Sequence, residues 1–282
     1  MLPVGDENTA NDASRGPTLV STRHQWLSEL WHAREVVYFL ALRDVKLRYR
    51  QTFLGVAWAV IQPLFTMALF MFVFGTMAKI PTDGIPGPIF YFSALVPWTY
   101  FSTAVGQSGT SIVTNANLVT KVYFPRLSLP IAAVVAGLVD FGIASSFMIG
   151  MMVYFHVAPT WRLVLWPPLV LLLVLFTSAI GIFLSAVNVR YRDVKHAVPF
   201  VLQLWLFATP IIYPLTLIPE RFRLVARLNP MTGIIGALRA ALVPSATIDW
   251  PALGLSSALI LAGLMLAVRY FNRAEQAFTD VI

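Results

Sequence analysis

The chain has no cysteine among its 282 residues. Disulfides, thiolate-held metals and cysteine nucleophiles are therefore excluded, although that absence does not fix the compartment. Charge is scarce as well: Asp, Glu, Lys and Arg make up 12% of the residues, against about 25% in a soluble domain. No G-x-x-x-x-G-K-[ST] segment occurs, which removes ATP binding in the P-loop manner. No H-E-x-x-H segment, histidine cluster or carboxylate pair lies within the apolar stretches. A proton-coupled carrier needs several ionisable groups inside the membrane, so that reading loses its chemistry here, and an intramembrane enzyme is disfavoured by the same lack. The first twenty residues, with Asp6, Glu7 and Asp12, lack the apolar core of a cleaved signal peptide. The net charge of +7 and pI near 9.9 do not signal nucleic acid, because the basic residues cluster beside apolar stretches and no nucleic-acid motif accompanies them.

What the chain has is apolar length. Six stretches, roughly 53–78, 89–113, 127–155, 163–188, 197–218 and 251–268, are almost free of charge. About 20 apolar residues in a helix cross about 30 Å of hydrocarbon, whereas barrel strands need only about 9–11. Backbone polar groups in lipid must pair within their own segment. The expected fold is thus an all-α integral membrane protein with six transmembrane helices. One of these stretches holds an acidic or basic side chain, Asp140. Left charged at mid-bilayer it costs on the order of 3 kcal/mol on insertion scales, so it is read as a polar packing residue bonded to a neighbouring helix or as a functional group. Fourteen of the 20 Lys and Arg fall before the first stretch, between stretches 2 and 3 or 4 and 5, or after the last. Lys79, Arg162, Arg221, Arg223, Arg227 and Arg239 fall on the other side. The positive-inside bias puts both termini in the cytoplasm.

Residues 1–21 are expected to be a disordered cytoplasmic tail, 22–50 an amphipathic cytoplasmic interface helix, and 51–282 the transmembrane domain. In the helix, Tyr38, Leu42, Val45 and Tyr49 share one face, with Lys46 and Arg50 on one flank and Arg48 on the other. It serves as a surface anchor or as a docking surface for a partner. A tight outer turn is expected at 79–88, and a short inner helix before Pro125. The fifth stretch carries Pro199, Pro210 and Pro214, which bend or break a helix and suggest a pathway-lining span. Asn229-Pro230 separates two short amphipathic pieces, 219–228 and 230–243. Asn caps a helix and Pro suits its first position. The pieces form a re-entrant pair in the outer leaflet or a surface loop with two interfacial helices. Small residues every four positions (Gly142, Ser146, Gly150; Thr177, Gly181, Ser185; Gly254, Ala258, Ala262) permit close helix contact. Such a bundle has no energy source of its own and calls for a soluble partner. A six-span chain seldom encloses a wide pore alone, which points to a homodimer.

The segment Tyr49-Arg50-Gln51-Thr52-Phe53-Leu54-Gly55-Val56-Ala57-Trp58, followed by Gln62-Pro63-Leu64, resembles the start of the first span in polysaccharide-exporting ABC permeases of the type-2 exporter family. The corner from Asn188 to Asp193 is similar to that family's inner loop between spans 4 and 5. Pro210-Ile211-Ile212-Tyr213-Pro214, Leu228-Asn229-Pro230-Met231-Thr232 and Arg239 are similar to its outer segment. The resemblance covers about residues 30–282. It implies a permease subunit rather than an enzyme, with no catalytic, cofactor or metal residue in this chain. It also implies a homodimer joined to two copies of a separate ATPase subunit that binds ATP and magnesium. The location implied is a bacterial inner (plasma) membrane, and the cargo a lipid-linked polysaccharide such as O-antigen, capsule or teichoic acid.

Under that resemblance Arg43 and Lys46 in the interface helix, with Lys121 and Arg126 in the loop between spans 2 and 3, are the candidate ATPase-coupling residues. Trp58, Phe65 and Phe70 in span 1 and Trp205, Phe207 and Tyr213 in span 5 are candidate sugar-path rings, by analogy with ring stacking along nucleic-acid strands, or plain packing residues. Arg221, Arg223, Arg227 and Arg239 are candidates for an outer gate or for lipid pyrophosphate, or are solvated cations. Tyr91, Trp98, Tyr100 and Phe101 are expected to form an interfacial aromatic belt. The alternatives are a permease for a small lipid or drug, with a narrow apolar cavity, and a membrane enzyme acting on lipid-linked sugars. The latter would have only Asp83, Glu220 and Asp249 on the outer side.

Overall fold

Long apolar segments leave the backbone no partner but itself, and the chain forms helices. The computed structural model describes residues 33–50, 55–122, 124–158 and 160–275; the expected tail and the 22–32 part of the interface helix lie outside them. Helix α1 is Arg34–Tyr49. Helix α2, Trp58–Phe70, continues as a π-helix over Met71–Met77. Helix α3 is Gly87–Thr114, the short α4 is Ala116–Lys121 and α5 is Ser128–Tyr154. A 3-10 turn leads into α6, Trp166–Arg190, and α7 is Val194–Ala208. Helix α8 is Glu220–Leu228, α9 is Pro230–Leu242 and α10 is Trp250–Glu275.

Among the described residues four helical stretches are long and apolar enough to cross a membrane: Trp58–Met77, Ser128–Tyr154, Trp161–Arg190 and Trp250–Glu275. The other two expected crossings depart from the simple pattern for physical reasons. Helix α3 has 28 residues, about 42 Å at 1.5 Å per residue, but Ser, Thr and Gln interrupt its apolar run. Helix α7 has 15 residues, too few on its own. It stops at Thr209, which is extended because it precedes Pro210, and a residue before proline avoids the helical region.

Helix α3 is the axis of the bundle. It packs along α5 and α6, carries α2 and α7 on its flanks, and meets α9; α10 lies against α6, and α1 against α5. Tyr91, Trp98, Tyr100 and Phe101 are each under 5% exposed, so they are core residues of α3 and not an interfacial belt. Phe101 stacks on Phe176, and Tyr100 meets Phe141. Apolar burial brings little transfer energy inside lipid, so close contact must supply the cohesion. At Gly181 a Cβ would sit 2.7 Å from Ser108 Cβ, and at Gly233 it would sit 2.9 Å from the Ala252 carbonyl oxygen; glycine lets α6 approach α3, and α9 approach α10. Of the three small-residue stripes, Thr177, Gly181 and Ser185 are buried in such a contact, whereas Gly142, Ser146, Gly150 and Gly254, Ala258, Ala262 face outward from the protomer.

The face that α1 buries is rotated from the expected stripe. Leu40 and Ala41 pack with Ile112, Leu127 and Ala132, whereas Tyr38 is 60% exposed. The rotation brings Arg48 toward the bundle.

Candidate functional site

One face of α3 carries Trp98, Ser102, Thr103, Gly106, Gln107 and Thr110, and α7 answers with Lys195, Val198, Pro199, Leu202 and Gln203. Between the two helices, closed at one end by Asn188 from α6, lies a cleft of about 510 Å³. Its lining mixes the hydroxyl and amide side chains with apolar ones, and Lys195 is its charged member. The Ser102 hydroxyl donates to the Thr99 carbonyl at 3.2 Å, and Thr110 donates to Gly106 at 3.1 Å. Their protons are thus committed to backbone, and their lone pairs remain available to accept. Asn188 is 2% exposed and its Oδ1 has no hydrogen-bond partner, a buried acceptor that a donor in the cleft would satisfy. Lys195 and Gln203 are exposed. Such a cleft can hold a hydroxyl-rich chain by many exchangeable bonds, each worth about 0.5–1.5 kcal/mol net.

Gln107 has a second neighbour. The Arg48 guanidinium donates through Nη1 to Asp140 Oδ2 and through Nη2 to Gln107 Oε1. The single acid in the apolar stretches therefore has a cationic partner, from α1. Burial lowers Arg48 from the usual arginine range while Asp44 raises it; arginine nonetheless stays charged at physiological pH. The sequence signal for this pair was the rule that an ionisable group in a span seeks a partner; the expected stripe, drawn one face away, hid which arginine it was.

The candidate rings divide. Trp58, Phe65 and Phe207 are exposed on the protomer, at 56%, 74% and 51%. Phe70 is buried edge-on against Phe74. Trp205 packs edge-on to Phe101 and Phe176, and its Nε1 donates to Asn229 Oδ1 at 3.0 Å. The Tyr213 hydroxyl donates to the Phe207 carbonyl at 3.2 Å. Among the described residues no ring contact joins the α2 set to the α7 set.

Asn229 does more than cap. Its Oδ1 accepts from the Met231 amide at 3.1 Å, closing the first turn of α9, and its Nδ2 donates to Thr209 Oγ1 at 2.9 Å. The Thr209 hydroxyl donates back to the Trp205 carbonyl at 2.8 Å. The broken end of α7 is thereby tied to the start of α9. The cap was legible in Asn-Pro; its two further bonds were not.

The four candidate outer arginines do not act together. Arg221 is exposed, with its guanidinium 4.8 Å from the Phe222 ring centroid. Arg223 donates to the Ile218 carbonyl at 3.1 Å and pairs with Glu220. Arg227 pairs with Asp249 at 2.8 Å. Arg239 departs from the expectation of an outer-surface cation. It is 7% exposed, lies 3.9 Å over the Phe90 ring, and donates to the Phe90 carbonyl at 3.2 Å and to Ser93 Oγ at 3.4 Å. Its forked donors find oxygen acceptors in the first turns of α3, which makes burial tolerable. The carboxylates that an outer-face enzyme would need are engaged: Asp83 accepts from Thr216, Glu220 pairs with Arg223, and Asp249 holds Arg227 and caps Ala252.

On the opposite end of the bundle Arg43 pairs with Asp44 at 2.9 Å, Lys46 is exposed, and Lys121 stands exposed at the end of α4. Arg126 donates to the Glu275 carbonyl at 3.0 Å, joining the start of α5 to the end of α10.

Residues 35–243 match the family model described as ABC-2 type transporter. The chain is 34% identical over 257 residues to the O-antigen export system permease protein RfbA of Myxococcus xanthus, covering 90% of this chain and 98% of that protein. It is 26% identical over 252 residues to the RfbA of Klebsiella pneumoniae, covering 88% and 95%. It is 24% identical over 247 residues to the polysialic acid transport protein KpsM of Escherichia coli, covering 84% and 93%.

Proposed function

This chain belongs to the ABC-2 type transporter family, and from that premise we propose that it is the permease of an ATP-driven exporter that moves a lipid-linked polysaccharide, an O-antigen or related surface polymer, out of the cytoplasm. It is a transporter subunit and not an enzyme. The observation that carries the cargo class is the full-length similarity to RfbA, named as an O-antigen export permease, reinforced by KpsM, named for polysialic acid transport. The α3–α7 cleft fits that cargo, because its hydroxyl and amide side chains can bond sugar hydroxyls while Trp98, Val198 and Leu202 cover apolar ring faces.

In this reading the protein sits in the bacterial inner membrane with both termini cytoplasmic. It crosses six times, counting α3 and the segment that begins as α7. Helices α8 and α9 form the re-entrant pair at the outer exit, held by Asn229. Two copies of the chain join two copies of an ATPase subunit, which binds ATP and magnesium. Closure of the ATPase pair pushes on α1 through Arg43 and Lys46 and on α4 through Lys121, and the α2 and α7 helices of the two copies part. Trp58, Phe65 and Phe207, exposed on the protomer, offer sugar-stacking faces to the channel, while Trp205 and Phe70 support the walls. Arg126 serves the inner end from its tie to α10, and Arg221 is the outer cation left for a lipid pyrophosphate.

Cells lacking this chain should accumulate lipid-linked polymer on the cytoplasmic side, detected by mass spectrometry of the lipid fraction, with surface polymer lost. Undiminished surface polymer with no internal pool would refute the cargo class.

A further inference from the structure

We propose that Arg48 is a positioning residue that transmits displacement of α1 to the transport cleft, acting through Asp140 and Gln107. This role rests on the reading of α1 as the ATPase-facing helix. Three elements meet at one rigid group: the guanidinium sits on α1, Asp140 on α5, and Gln107 on α3. A planar fork can hold two acceptors on different helices at fixed relative positions; a lysine ammonium, a point charge on a flexible stem, cannot. Gln107 also lines the cleft. Because its Oε1 accepts from Arg48, its amide NH₂ is the group left free for a ligand, so Arg48 sets the orientation in which this wall side chain meets cargo. The amide orientation follows from the hydrogen-bond partner.

The contact has a second available arrangement. Arg48 engages only Oδ2 of Asp140; Oδ1 is buried and has no hydrogen-bond partner among the described residues. A small displacement of α1 along α5 would let the fork take both carboxylate oxygens and release Gln107. The bidentate pair is the stronger contact, and it would compensate for the lost amide bond. Two discrete arrangements of one charged group, differing in whether the cleft wall is held, are what a mechanical coupling element requires. Asp140 thus acquires a purpose that packing alone does not supply: it keeps a cation of α1 anchored inside the bundle in both arrangements.

The test uses the assembled permease–ATPase complex in proteoliposomes and reads polymer exported per ATP hydrolysed. Arg48→Lys keeps the charge and removes the fork. It should leave ATPase recovery and hydrolysis within twofold of wild type while lowering export per ATP at least tenfold. An unchanged ratio overturns the proposal. If Arg48→Lys does not assemble, Asp140→Asn, which keeps the side-chain shape, carries the same measurement with at least a threefold loss expected and an unchanged ratio decisive against it. Asp140→Glu, which keeps both oxygens, should retain more coupling than Asp140→Asn; equal losses would mark a merely structural site. Failure of wild type to export with its ATPase would overturn the underlying transport reading, and this proposal with it, whereas an intact wild type with unaltered variants overturns this proposal alone.

Discussion

Asn229 shows how much a single amide can hold at a half-buried junction of helices. It closes the first turn of α9, takes the Trp205 indole proton and donates to Thr209. A helix cap contributes about 1 kcal/mol, and a side-chain hydrogen bond between membrane helices averages about 0.6 kcal/mol. Asn229→Ala should therefore destabilise the protein by about 2 kcal/mol, read as a lowered thermal midpoint in detergent. Asn229→Ser, which keeps a capping oxygen, should lose about half as much. Equal losses would show that the cap is not what Asn229 supplies. Arg239 works by the same rule: a cation is tolerated in the interior because a carbonyl and a hydroxyl of α3 meet it. The sequence pointed to Asn229 as a cap and to Asp140 as a residue seeking a partner. It could not point to Trp205 or Arg48 as the groups they meet, because those pairs are separated by 24 and 92 residues and only the packed bundle joins them.

Among the elements, those governed by local chemistry were legible and those governed by neighbours were not. The end of α7 before Pro210 and the start of α9 at Pro230 follow from proline's fixed geometry. The burial of Tyr91, Trp98, Tyr100 and Phe101 does not, since the same aromatic composition would suit an interface belt; the central position of α3 between α5 and α6 decides it. Likewise the apolar residues of α1 were visible, but the face it buries is chosen by contact with α5 and by the Arg48 pair. The face turned away carries Lys46, and Arg43, half-buried, pairs with Asp44. Charge reversal at both positions should lower recovery of the ATPase subunit in pull-down at least fivefold, with the permease still inserted. Reversal at Arg221, on the opposite end of the bundle, should leave recovery unchanged. Unaltered recovery in the Arg43 and Lys46 variant would remove α1 as the docking helix.

At the scale of the molecule, one protomer offers a mixed polar and apolar cleft on one side of its axis helix and a partly buried charge link on the other, with Gln107 common to both. The long apolar stretches in the sequence announced a membrane bundle, and the chain's membership of the ABC-2 family accords with that. The cleft itself was not legible: Ser102, Thr103, Gln107 and Asn188 look like interruptions of apolar runs until α3 and α7 are set side by side. The small-residue stripes that face outward from the protomer are free for close helix contact in the proposed homodimer.

The proposed conduit is silent alone and opened by nucleotide-hydrolysing subunits at its cytoplasmic face. It is tested most directly in proteoliposomes containing a labelled lipid-linked polymer, by measuring its appearance on the far side with permease alone, with permease and ATPase, and with ATP added. Translocation only when all three are present is the predicted result. Translocation by the permease alone, or its absence from the complete system with an intact complex, would refute this mechanism.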